Sequence, residues 1–175
     1  RFLTEPDSDR NLFNYTLYCH VVLHDYDRAR PLYLEAMRRM TFKGPDVAQI
    51  LYAYAIFAFV VHDEDVQECL HLISRARDAE VLHYNLIRKQ QQRAAELSGG
   101  KESSGGYVNI DITTGKSFEL ANVGFFRYMC NLQGSSEAYH NYAACRFLVY
   151  SDFPGAFEAF MGGFKNDPMN SKLRD

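Results

Sequence analysis

The chain has no tryptophan, only four cysteines among its 175 residues, no long run of like charge, and no apolar stretch of membrane-spanning length. Each absence excludes something. Cys19, Cys69, Cys130 and Cys145 are far apart, with none of the two- or three-residue gaps of a thiolate metal site. They read as reduced thiols on a core or helix face, which points to a cytosolic or nuclear compartment. Lys and Arg occur in short scattered pairs and the net charge is −3, so no basic face is long enough to follow a phosphate backbone and direct nucleic-acid binding is not expected. The most apolar segment, "ILYAYAIFAFVV" from Ile50 to Val61, is about half the ~20 residues a membrane span needs and reads as a buried helix. The chain begins at Arg1 without a methionine, as a piece of something larger would, so a missing targeting signal carries no information.

What is present is a 47% apolar composition with 12 Tyr and 13 Phe spread through long amphipathic runs, enough to build one domain. Almost every long segment reads as helix. Asn11 to Leu23 carries a broad apolar stripe with Asp9 as N-cap. From Asp27 to Met40, apolar residues recur every three or four positions, with Pro31 in the first turn and basic residues at the end. Further helices are expected over Val47 to Val61, capped by Asp46, then Val66 to Ala79 and Val81 to Leu97. The last three are Glu119 to Leu132, Ser136 to Tyr150 and Phe153 to Asn166. "SGGKESSGG", Ser98 to Gly106, reads as a flexible linker, and the alternating "YVNIDITTGKSFEL", Tyr107 to Leu120, as a short β-hairpin turning at Thr114-Gly115.

The Gly115-Lys116-Ser117 stretch raises the question of a phosphate-binding loop. Such a loop needs a glycine where Ile110 stands, and a parallel sheet that no neighbouring segment provides, so a polar turn is the better reading. His20 and His24, four apart, lack a third ligand and read as solvated or packing residues. "HDEDVQE", His62 to Glu68, lacks the ligand ladder and central glycine of a calcium loop and reads as a helix N-terminus. No nucleophile elbow or zinc-protease pair is present, so no catalytic residue, metal, cofactor or small-molecule substrate is expected.

Self-similarity is more informative. "FNYTLYCHVVLHDYDRARPLYLEAMRR", Phe13 to Arg39, lies without a gap on "HNYAACRFLVYSDFPGAFEAFMGGFKNDP", His140 to Pro168. Asn14-Tyr15 meets Asn141-Tyr142, Asp25-Tyr26 meets Asp152-Phe153, Ala29 meets Ala156, and Tyr33 meets Phe160. Each unit reads as two antiparallel helices with the small alanine at their close crossing. The Asp152-Phe153 turn, Ala156, Phe160 and the closing Asp167-Pro168 resemble the tetratricopeptide-repeat family. A middle unit, Gln49 to Ala79, fits loosely, with Cys69 and Ala76 in small-residue slots. "DYDRARPLYLEAMRR" leans toward half-a-TPR repeats.

The resemblance implies an all-α stack of antiparallel helical hairpins. It would comprise repeats over 1–97, a linker and β-hairpin insertion over 98–118, and a continuing repeat over 119–175. It further implies a non-enzymatic protein-interaction scaffold, part of a larger cytoplasmic or cytoskeletal assembly, that holds a helix or extended peptide of another protein in its concave groove. The residues implied to line that groove are Asn11, Asn14, Tyr18 and Val21 in the first unit, with Ala138, Asn141, Cys145 and Leu148 in the last. Asn14 and Asn141 could hold a bound backbone or bond within their own helix pair. Ala138 stands where a carboxylate clamp would need a basic residue. The alternative is a nuclear scaffold of an RNA-processing complex, itself protein-binding.

Overall fold

Between residues 47 and 61 Gln49 is the one strongly polar side chain, and a helix without a polar face is stable only when enclosed. That helix, α3 (Pro45–His62), is buried over 47–62 except at Gln49, Phe59, Val61 and His62, which are half-buried. A second helix, α6 (Ser136–Tyr150), is enclosed as well, with no exposed residue along its length. These two pack against each other, and the other helices are built around them.

The computed structural model describes residues 9–39, 45–62, 65–97 and 116–168. The described residues are all-α. Beside α3 and α6 they form α1 (Asp9–Leu17), which runs into a π-helical turn (Tyr18–Val22), then α2 (Tyr26–Arg39), α4 (Val66–Leu97), α5 (Lys116–Gln133) and α7 (Phe153–Asn166). α1 packs on α2, α4 along α3, and both α5 and α7 on α6. Tyr33, Ile56, Phe57, Ile73 and Leu148 are among the largest side chains withdrawn from water, each worth roughly 1.5–3 kcal/mol of apolar transfer. All four cysteines are buried free thiols. No helix among the described residues is long and apolar enough to cross a membrane.

The two aligned hairpins turn by the same bonds. His24 and Ser151, paired by the alignment, both adopt a left-handed φ of 53°. The next amide reaches back six residues in each: Asp25 N donates to Cys19 O at 2.9 Å and Asp152 N to Arg146 O at 3.0 Å. Each aspartate then caps the following helix, Oδ1 of Asp25 accepting from Arg28 N at 3.2 Å and Oδ1 of Asp152 from Gly155 N at 3.0 Å. Ala29 and Ala156, one turn further on, are both buried.

Several expectations are corrected. The segments over 66–79 and 81–97 are one helix of 32 residues, roughly 48 Å long. No glycine or proline interrupts it, and the shift toward polar residues past Glu80 marks where α4 outruns its partner α3, which has 18 residues, rather than a break. Residues 116–120, assigned to a β-hairpin, begin α5 instead, because the β-branched residues all precede Lys116 and "KSFEL" favours helix. The rest of that hairpin, 107–115, and the linker 98–106 lie outside the described residues; no strand occurs among the described ones. Pro31 is in the second turn of α2, with Asp25 as the cap. Asp9 and Asp46 fall inside their helices rather than before them.

Candidate functional site

Three helical stripes line an open cleft of about 720 Å³. Tyr139, Tyr142 and Arg146, spaced three and four apart, form the floor on α6. Gly155, Ala159 and Gly162, spaced four and three, form one wall on α7, and Arg127, Cys130 and Asn131 form the other on α5. Phe157, Met161 and Lys165 extend the α7 side.

The small residues of α7 set the shape. A Cβ at Gly162 would come within 2.9 Å of the Tyr139 ring, and one at Gly155 would overlap the Arg146 guanidinium. Without side chains there, the tyrosine and arginine lie flat along the floor. Arg146 is fixed at its far end. Nη1 donates to Tyr142 Oη at 2.8 Å, Nε donates to Asp152 Oδ2 at 2.8 Å, and Nη2 pairs with the same oxygen. The Gly155 amide and this guanidinium hold the Asp152 carboxyl below its ordinary pKa. On the α5 side, Gly134 takes the left-handed φ of 59° that ends α5, and Ser135 caps α6 through Ala138 N at 3.2 Å. Cys130 donates to Ala138 O at 3.2 Å, and burial pushes its thiol up to about 11, so it lines the cleft as an unreactive thiol.

The charge of the cleft is lopsided. Arg127 and Lys165 are exposed and make no ion pair among the described residues, Arg146 is already matched by Asp152, and Glu158 is the one acid in the lining. Phe157 is 67% exposed beside them. The surface can accept an apolar group and an anion together.

The groove residues implied by the family resemblance are placed elsewhere. Asn11 is half-buried, while Asn14 and Tyr18 are exposed on α1 and the π-turn. Val21, Ala138, Asn141, Cys145 and Leu148 are all buried, Asn141 being 2% exposed. Four of these five lie on α6, which packs against α5, α7 and α3, and Val21 lies in the π-turn.

Asn141 instead faces a polar cell in the core. His20 is fully buried in the π-turn, its Nδ1 2.9 Å from Tyr33 Oη and its ring 4.9 Å from that of Phe57. Burial drives its pKa down to about 3, against a smaller opposing effect of Asn141 and a small further lowering by His24. His20 Nε2 and Asn141 Oδ1 complete no hydrogen bond of good geometry, yet Asn141 is near enough to favour the protonated ring; burial outweighs it. His24 engages Tyr26 rather than His20, and no cluster among the described residues has the ligands for a metal ion.

No family model, curated protein or solved structure matches this chain.

Sequence reasoning missed the cleft. Its signal was the glycine and alanine spacing in "FPGAFEAFMGGF", which marks a helix face that another side chain can approach closely.

Proposed function

We propose that this chain is a non-enzymatic protein-binding scaffold, a tetratricopeptide-like segment of a larger cytoplasmic or cytoskeletal assembly, that takes a segment of another protein in the cleft between α5 and α7. The observation that carries this reading is the cleft itself: an open surface of about 720 Å³ on a repeated helical hairpin, with aromatic, sulfur and cationic groups side by side and Phe157 bare to water. Exposed aromatics next to cations are what protein contact surfaces are enriched in. This reading places the binding face in the cleft and not in the groove implied by the resemblance, because Ala138, Asn141, Cys145 and Leu148 of α6 are buried in the core.

The test is capture from cell lysate with the 175-residue chain as bait, comparing the wild type with Phe157→Ser/Met161→Ser and with Leu34→Ser on α2. Loss of a reproducible partner from the first variant alone is the expected result. A partner list unchanged by it would remove the cleft as the contact surface. Asn141→Ala is not a substitute, since that residue reports on packing.

A further inference from the structure

We infer that the cleft selects an acid-bearing, apolar-faced helical segment, an inference that rests on the scaffold reading above. Three observations on the surface point the same way. The first is charge. Of four charged side chains in the lining, three are cationic, and the two that no carboxylate satisfies, Arg127 and Lys165, come from opposite walls. A segment lying between α5 and α7 passes both. The net charge of the whole chain is −3, so this cationic pair runs against the rest of the molecule and is a local feature.

The second is shape. From Tyr139 to Arg146 the floor runs seven residues along α6, roughly 10 Å, and from Gly155 to Lys165 the wall runs ten residues along α7, roughly 15 Å. Two to three turns of a helix match that length and present side chains at i, i+3 or i+4, and i+7 to one side. The third is the small-residue wall. Gly155 and Gly162 let the Arg146 guanidinium and the Tyr139 ring pack close against α7, so the floor between the walls stays low while Phe157 and Met161 stand at its α7 edge. Anchors against Tyr139, Tyr142, Phe157 and Met161, with carboxylates toward Arg127 and Lys165, use the aromatic and sulfur groups of the cleft and its two cations that have no ion pair among the described residues.

A basic segment would meet the same two cations without relief, and Glu158 alone cannot offset them. The occupant is therefore separated from nucleic acid by its need for apolar anchors and from basic peptides by charge.

The experiment is panning of phage-displayed random 16-residue peptides on the purified 175-residue chain, followed by fluorescence anisotropy of the enriched peptide. The expected result is enrichment of Asp and Glu three or four residues from Leu, Phe or Met. The enriched peptide should lose affinity about tenfold on Arg127→Glu/Lys165→Glu and with rising salt, and keep it on Lys89→Glu/Arg93→Glu in the exposed part of α4. Circular dichroism of the charge-reversed chain confirms that its helices are intact. No enrichment, enrichment without acids, or equal binding to the charge-reversed cleft would overturn the inference. The scaffold reading fails separately: it falls if the lysate partner survives Phe157→Ser/Met161→Ser, whatever the peptides show.

Discussion

The hairpins α1–α2 and α6–α7 share a turn bond for bond, yet one sits at the margin of the molecule and the other supplies its centre. Asn14 and Asn141 occupy the same place in the repeat; the first is exposed and the second is buried. His20 of the first hairpin stands where Phe147 stands in the second, and Tyr33 where Phe160 stands. The first hairpin thus carries a hydrogen-bonded His–Tyr pair in its core, sealed by Phe57 of α3, while in the second Phe147 packs on Phe59 and Phe153, and Phe160 is half-buried near the cleft. Local sequence decided how each hairpin turns. Neighbours decided which of its faces is inside.

The largest effect expected from this contrast is at the residue behind the conserved-size alanine. Tyr33→Ala should cost about 3–5 kcal/mol in urea unfolding, since Tyr33 is wholly buried, whereas Phe160→Ala should cost less than half as much. Equal losses would mean the two hairpins are buried alike and would break the comparison.

Next comes the polar pair. His20→Phe leaves the Tyr33 hydroxyl buried without its partner, at a cost of about 1–3 kcal/mol. Adding Tyr33→Phe installs the residues of the second hairpin in the first and should recover most of that loss. A double-mutant cycle reads the coupling directly, and additive costs would show that the 2.9 Å contact contributes nothing.

The same pair predicts a pH dependence. Burial lowers the His20 pKa to about 3 from 6.5, so between those values the unfolded chain binds a proton that the folded chain excludes. Stability from this group is fully present above pH 6.5 and falls as pH drops toward 3. Between pH 7.5 and 5 the loss is about 2 kcal/mol, read as wild type minus the His20→Phe/Tyr33→Phe double variant so that carboxylate titrations cancel. Parallel stability–pH curves for the two proteins would refute a neutral, sealed His20. Cys19 and His24 on the same segment and Asn141 on α6, which also face the His20–Tyr33 pair, are the same in both proteins.

The smallest expected effect is at the turns. Ser151 and His24 hold a left-handed conformation that costs a non-glycine residue roughly 1–2 kcal/mol. Ser151→Gly should stabilise by about 1 kcal/mol. His24→Gly should gain less, because the 3.3 Å contact of His24 Nδ1 with Tyr26 Oη is lost. A loss of stability in both would show that the turns are held by their side chains instead.

How much of this was legible beforehand differs by residue. The ranges of α6 and α7 followed from apolar spacing, which acts over a few residues and needs no partner, and the Asp25 and Asp152 turns from the internal repeat. The enclosure of α3 followed from its having no polar face. The run of α4 through Glu80 did not, because a change of periodicity looks the same whether a helix ends or merely leaves its partner behind.

The cleft was not legible either. Arg127, Tyr139 and Lys165 come from three helices that no sequence spacing relates, and the glycines opposite them acquire meaning only when α7 lies against α6. By itself the sequence determined that this protein is helical, where most of its helices begin and end, and that two of its hairpins turn alike, because those properties rest on local bonds and periodicity. Tertiary structure alone decided that α6 is enclosed and α1 is not, and so placed Asn141 in the core while Asn14 is exposed. Burial is a property of what surrounds a side chain, and the surroundings of α6 include residues many tens of positions away, as in the 2.5 Å bond from Arg77 of α4 to the Val149 carbonyl.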